Sequence, residues 1–542
     1  MPDYRKLFDA KEKLNADLTR RMDNDVHLRD LLRYILRDEL MRPLSGIIHV
    51  TLNKPAVFYA NAFSALNNAH EQIIVESEVE GFDTHYIEDF RRAGFNAANA
   101  RLRKQGRFKI EPFIDEQSCM RGRGSGLVVF QMNKGVLVAD IRMWDSRFVS
   151  NEMDEDGLAW AGINGQRPMD LIKSQYPKEV AHFKIDTGKP HAKVLDVWHR
   201  EGNEVWINDN KIVEQPHLFK FTPVVIETVT LGSMLSDEDS LMRRGESIYF
   251  LIRDIIPQLN RLASIVATQT QVRVKPPIMT PSSSKTDDPP TYSDVMDMGS
   301  SSSSGTEGIT QILDTGDVNR AAGILFTLIE TALQEGSLSS SDLGVPGSPP
   351  QSGVSLLIRK EGRAQIFFPR LEMKANLKLG IGDMFTEQVK QIGGSVELDN
   401  RTFEVGKLEG QYQVRHEYTV QSKAEDAGLA SLVAAYGDLV SKKDKREIIG
   451  REDPKGDDDQ LRWEEAELLS PLVKLRRTVE SLENLGADED AKLMTDEAGV
   501  QLEKLLSGEV EEREPVEPQN PKQVTSLFGG QSSGEQPPVE EV

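Results

Sequence analysis

A few stretches carry residue types that could do chemistry. Arg121-Gly-Arg-Gly-Ser-Gly126 has the glycine density of a loop that wraps phosphate with backbone N–H groups. It lacks the Gly-Lys-Ser/Thr ending and leads into a strand-like apolar run rather than a helix, so a turn is the better reading. Glu152-Met-Asp-Glu-Asp-Gly157 begins like a calcium loop, which must close on a bidentate carboxylate. Ile163 stands at that position, and the motif fails. Cys119 is the one cysteine. It supports neither a disulfide framework nor a multi-cysteine zinc site, and no adjacent His or Lys activates it as a nucleophile. The nine His are scattered, with no His-Glu-x-x-His, and no Gly-x-Ser-x-Gly elbow occurs. Acidic runs such as Asp457-Asp-Asp459 read as solvated faces. The expectation is a protein that is not an enzyme and uses no metal or cofactor.

A chain of 542 residues is too long for one core, which predicts two to four domains. With 38% hydrophobic and 28% charged residues it has the balance of a soluble globular protein. Its first residues are charged throughout, and no stretch approaches the roughly 20 apolar residues of a membrane span. Synthesis in a reducing cytoplasm, with no membrane partner, is expected. The net charge of −22 argues against nonspecific DNA binding by phosphate neutralisation. It is compatible with a wall past which DNA slides without sticking.

The elements that would position functional residues follow from periodicity. Residues 1–43 read as helical, with Leu28, Leu31, Leu32, Ile35, Leu36 and Leu40 at three- and four-residue spacings and a stop at Arg42-Pro43. Helices are predicted over 54–75 and over 84–105, the latter capped by Asp83 or Thr84 and ended by Gly106. Residues 126–132 and 135–143 read as strands joined by Asn133-Lys134-Gly135. Residues 154–157 form a turn, 168–176 a short helix, and 192–199 and 204–208 two more strands, so 110–230 reads as largely β. In 243–271, Ile248, Ile252, Ile255, Leu259, Leu262 and Val266 make a heptad-like seam, with Pro257 kinking the helix or marking its start. A Pro/Ser-rich polar insert fills 272–317, with a little β structure near 309–313, and helix returns over 318–334. A Gly/Pro loop precedes a long helix over 354–392 that contains Pro369. A β-hairpin region at 395–420, charged amphipathic helices over 424–507 and a disordered acidic tail over 509–542 complete the chain.

This order resembles that of the tailed-bacteriophage portal family: wing, stem helix, clip, second stem helix, tunnel loop, long wing helix and crown. Asp254-Ile-Ile-Pro-Gln-Leu-Asn-Arg-Leu262 running to Arg273-Val-Lys-Pro-Pro-Ile-Met279 is similar to the family's helix entering a proline-marked clip. Leu343-Gly-Val-Pro-Gly-Ser-Pro-Pro-Gln-Ser-Gly-Val-Ser355 is similar to its glycine-rich loop before a helix start. Leu52-Asn-Lys-Pro55 resembles the Asn-x-Pro helix entry of many portals, and 194–223 resembles the wing strands. The likeness spans about residues 25–420, and order and spacing carry it. Pro369 inside the long helix and the Ser-rich insert depart from the pattern.

The resemblance implies an α+β, portal-like subunit: an α/β wing (1–242), a stem helix (243–271), a clip (272–317), a second stem helix (318–343), a tunnel loop (344–353), a long kinked helix with a wing hairpin (354–420) and a helical C-terminal crown (421–508). It implies a homo-oligomeric ring, usually of twelve, that forms a double-stranded DNA channel at one capsid vertex and serves packaging, head–tail joining and ejection. Implied partners are the terminase packaging motor, major capsid and scaffolding proteins, and a head-completion or tail adaptor, in a virion assembled in the host cytoplasm. The channel loop would comprise Gly344, Val345, Pro346, Gly347, Ser348, Pro349, Pro350, Gln351, Ser352 and Gly353. Arg359, Lys360 and Arg363 would lie near DNA, and Lys285, Asp287, Asp288 and Tyr292 in the clip would dock motor or adaptor. Another phage structural protein, a capsid or scaffolding component, is the alternative. A scaffold should have few strands, and a capsid protein does not need the helix–insert–helix–loop–long-helix series.

Overall fold

The computed structural model describes residues 2–79, 82–182, 189–235, 237–274, 278–281, 301–304, 311–312, 318–337 and 353–419. The chain divides into two units, Met1–Gly428 and Leu429–Val542, and the second lies outside the described residues. The described part mixes helix and sheet, the α+β class in its coarse sense.

Tyr4–Leu14 form α1, capped by the Asp3 carboxylate, which accepts from the Lys6 N–H at 3.2 Å. Ala16–Arg29 form α2. The helix predicted over 1–43 therefore stops early. Leu31 takes a left-handed φ of 52°, the Leu32 N–H reaches back to His27 O, and the Leu31 N–H to Leu28 O. This is a Schellman end built on leucine instead of glycine. Residues 30–53 then form an irregular extended arm, folded back on itself by the Arg37–Pro43 bridge.

Lys54–Asn67 form α3 and His70–Glu76 form β1. The helix predicted to 75 is thus two elements, and Val75 sits in a strand opposite Val414. Thr84–Lys104 form α4, capped by Asp83 and ended by Gly106 at φ 69°. Ile110–Met120 form α5 inside the stretch read as β, because its buried residues pack against α3 and the helix over Gly353–Ile392. Arg123–Asn133 (β2) and Val136–Trp144 (β3) pair through a two-residue turn, with Lys134 and Gly135 both at positive φ.

Val149–Asp154 (β4) and Gly157–Pro168 (β5) open a five-stranded antiparallel sheet. Met169–Gln175 (α6) and Pro177–His182 (α7) lie between β5 and His191–His199 (β6). Gly202–Ile207 (β7) and Asn210–Pro216 (β8) complete the order β4-β5-β6-β7-β8. Val224–Thr228 (β9) instead joins β2, giving the separate sheet β3-β2-β9.

Glu238–Leu241 (α8) is one turn, and Ile255–Val274 form α9. The helix predicted from 243 thus begins at 255, with Pro257 in its first turn, where a missing N–H costs nothing. Residues 243–254 are turns because α2 pins their backbone. Arg21 donates to the carbonyls of Met242, Arg244 and Gly245, and Arg253 to Asp25 and Glu246. Ile248 and Ile252 are buried all the same, so the seam marked burial correctly and helix wrongly.

Within the insert, Ile278–Pro281 (β10), Ser301–Ser304 (β11) and Gln311–Ile312 (β12) pair in the order β11-β10-β12. Val318–Glu335 form α10, and Gly353–Ile392 form α11, which stays helical through Pro369. Ser395–Leu398 (β13) and Arg401–Glu404 (β14) make a hairpin, and Gln413–Thr419 (β15) pairs with β1. α11 covers β2 and β9, with Leu377, Ile381, Phe385 and Val389 in the largest core. The predicted helices over 424–507 and the tail over 509–542 lie outside the described residues.

Candidate functional site

α9 presents three faces, and each is set by residue type. Ile256 and Leu259 enter the core shared with α3 and α11. Asn260, Ser264 and Thr268, four residues apart, form a polar stripe on a second face. Residues 48–52 of the arm run antiparallel to the helix along that stripe. The Leu52 N–H donates to Asn260 Oδ1 at 3.0 Å, Val50 to Ser264 Oγ at 2.9 Å and Ile48 to Thr268 Oγ1 at 2.9 Å. The outer limb of the arm is tied to the inner one by Tyr34 N–H on Thr51 Oγ1 at 2.8 Å and Leu36 N–H on His49 Nδ1 at 3.2 Å.

The third face meets α10. Gly336, just past the end of α10, packs against Leu251 and Ile252 before the start of α9, so the two helices run antiparallel. Between them lies an open groove of ≈ 630 Å³, floored by Leu262, Ile265, Leu325 and Leu328 and edged by Asp254, Gln258 and Arg261. The apolar character continues onto the outside of α10, where Ile324 is 61% and Leu328 63% exposed. Apolar side chains on two adjoining faces of one helix are the mark of an interaction surface.

A buried charge cluster lies along α11. Lys374 and Lys378 of α11 are buried. Lys374 donates to Asp115 Oδ2 at 2.9 Å, and Lys378 to Glu71 Oε2 at 2.6 Å. His416 Nδ1 lies 2.9 Å from Glu71 Oε1. Burial alone would raise the Glu71 carboxyl, but His416 and Lys378 together outweigh it and hold it at about 2. Burial pushes His416 below the ordinary imidazole value, and its Nε2 is buried without a partner. Each cation meets a carboxylate from another element, so the cluster locks α11 to β1, α5 and β15. Among the described residues no group of three or more His, Cys, Asp or Glu is placed to hold a metal ion.

The glycines of Arg121–Gly126 serve packing. Gly122, at φ 65°, faces the backbone of Gly245, where an added Cβ would stand 2.0 Å from the carbonyl oxygen. Glu152–Gly157 lies in the β4–β5 hairpin. Cys119 is buried and its thiol is pushed up to about 12 by burial.

Of the channel-loop residues, Gly344 to Ser352 lie outside the described residues, and Gly353 is the first residue of α11. The clip residues Lys285, Asp287, Asp288 and Tyr292 also lie outside them. Arg359, Lys360 and Arg363 fall on the first third of α11, with their side chains outside the described set. Sequence reasoning missed the arm and its stripe. Three small polar residues at i, i+4 and i+8 were the available signal. No helix among the described residues is long and apolar enough to cross a membrane. No protein-family model matches the chain, and no curated protein matches it.

Proposed function

We propose that the chain is a subunit of the portal ring of a tailed bacteriophage, the DNA channel at one capsid vertex used in packaging, head–tail joining and ejection. The observation that carries this reading is the antiparallel α9–α10 pair. It frames a small sheeted insert and leaves apolar surface uncovered on its outer side. In a ring of copies that surface is the subunit contact, and α9 and α10 are the stem. The insert is the clip, where the terminase motor docks during packaging and the head-completion or tail adaptor afterwards. ATP hydrolysis belongs to the motor, and the ring itself is not an enzyme.

The charge of −22 per copy suits a conduit. A wall that repels phosphate does not trap counterion-stripped DNA, so the duplex moves with little sticking. Residues 344–353 join the stem to α11. Glycines that admit unusual backbone angles alternate there with prolines that restrict them, which suits a loop with a few discrete shapes at the bore.

Negative-stain microscopy of the purified full chain tests the reading. Rings with a central hole are expected, and a monomer at every concentration would overturn it. Deleting Pro349–Ser352 is expected to leave rings intact and abolish packaging. Intact rings with normal packaging would reduce the loop to a connector.

A further inference from the structure

The arm over residues 30–53 is built with more order than a connector needs. Its inner limb is fixed to α9 by three hydrogen bonds at successive helical turns, and its outer limb to the inner by two more. Yet the outer limb presents apolar side chains to solvent, Leu32 at 56% exposure and Leu31 at 36% in its left-handed backbone. Arg33 beside them is exposed and makes no ion pair among the described residues.

The hydrogen bonds to α9 also set levels. Residue 52 stands beside Asn260 and residue 48 beside Thr268, and Tyr34 is bonded across to Thr51. Leu32 therefore lies nearer the N-terminal end of α9, alongside the span 254–265 that lines the groove. Arm and groove occupy different faces of α9. Successive residues turn by about 100°, so Arg261 on the groove edge points about a quarter turn away from Asn260 on the stripe. One copy thus carries a knob and a hollow on different faces of α9, at one level.

We infer that the outer limb of the arm, residues 31–37, lies in the α9–α10 groove of the next copy, with Leu32 against Leu262 and Leu328 and Arg33 beside Asp254. The inference rests on the ring reading, because rotation about an axis along α9 preserves level. A knob and a hollow at equal level on different faces are what a head-to-tail contact joins. Charge agrees with this. Asp254 is exposed on the groove edge and has no ion pair among the described residues, the same unpaired state as Arg33 with the opposite sign. A second copy brings these two opposite charges together.

Oxidative cross-linking of the full chain tests this. The double variant Leu32→Cys/Leu328→Cys is expected to give a ladder of covalent multimers on a denaturing gel, and either single variant none. Cys119 is buried with its thiol pushed up to about 12, so it does not compete. Arg33→Asp and Asp254→Arg are each expected to raise the concentration for half-assembly about ten-fold, and the double variant to restore it to within about three-fold. Wild-type rings with no ladder and no charge-swap rescue would overturn the arm contact and leave the ring reading standing. A ladder from assemblies that are not rings would uphold the contact and remove the ring. A monomeric wild type with no ladder would remove both.

Discussion

Gln388 shows how one side chain can stand in for a strand. β9 pairs with β2 only as far as Leu127, opposite Val224. Beyond that, the edge of β2 would be left open under α11. Gln388 fills it: its Nε2 donates to Val128 O at 2.9 Å, and its Oε1 accepts from the Phe130 N–H at 2.6 Å. The side chain is 1% exposed, so water cannot replace it. Gln388→Ala is expected to cost about 2–4 kcal/mol, because two buried backbone groups lose their partners together. Denaturant unfolding reads this directly, and a loss within about 0.5 kcal/mol would mean the edge is satisfied in another way. Gly122→Ala is expected to be at least as damaging, since the new methyl meets backbone and not a side chain that could move.

His416 makes a pH prediction at the same scale. Its Nδ1–H donates to the ionised Glu71, so the second proton would have to enter at Nε2, which is buried without an acceptor. Around it stand Lys378 and Arg91, both cationic, with Glu71 and the ring of Phe95. The folded value lies below the ordinary 6.5, so the unfolded chain takes up a proton first as pH falls. Stability is therefore unaffected by this group above about pH 7 and declines below 6.5. Glu71, held at about 2 against an ordinary 4.5, adds a second decline between those values. His416→Gln keeps an amide donor for Glu71 and cannot titrate. It is expected to flatten the decline that begins as pH falls through 6.5 while leaving the lower one. Equal slopes in the two proteins would show that His416 is not the titrating group.

At the scale of elements, α9 and the arm are interdependent. Ser264 Oγ accepts from the Val50 N–H and donates to Asn260 O one turn back, so it joins helix and arm through one hydroxyl. Ser264→Ala is expected to destabilise by about 1–2 kcal/mol and, more tellingly, to release the Val50 amide to hydrogen exchange while the rest of α9 stays protected. α4 was readable because Asp83 and Gly106 are the residues that caps favour, and the β2–β3 turn because Lys134-Gly135 sits between two apolar runs. The end of α2 was not, because Leu31 adopts a conformation that glycine usually takes and leucine does not announce. The false start of α9 at 243 has a different origin. Ile248 and Ile252 have helical spacing and are buried, but contacts from Arg21, more than two hundred residues away in sequence, decide the backbone there. Within the candidate site, two helices flanking a polar insert were legible from the composition, but their antiparallel packing was not. The groove and the arm were not, since both depend on which flank of α9 each neighbour takes.

At the scale of the whole molecule, the apolar outer side of α10 is the feature on which the proposed ring rests. A substitution there repeats once per copy, so every contact around a ring carries the same fault. Ile324 is the sharpest probe, because at 61% exposure it has little to lose within its own chain. Ile324→Asp should leave the isolated subunit within about 0.5 kcal/mol of the wild type, as an exposed substitution normally does. In an assembled contact the same carboxylate would be desolvated without a partner, at a cost of several kcal/mol per interface. Assembly is the product of all contacts, so the ring is expected to be lost outright and not merely weakened. Sedimentation velocity at matched concentration distinguishes the cases, with circular dichroism and thermal unfolding to establish that the variant is folded. A folded Ile324→Asp protein that still sediments as the wild-type assembly would mean that α10 faces solvent in the ring, and the subunit contact would then have to lie on another face of the molecule.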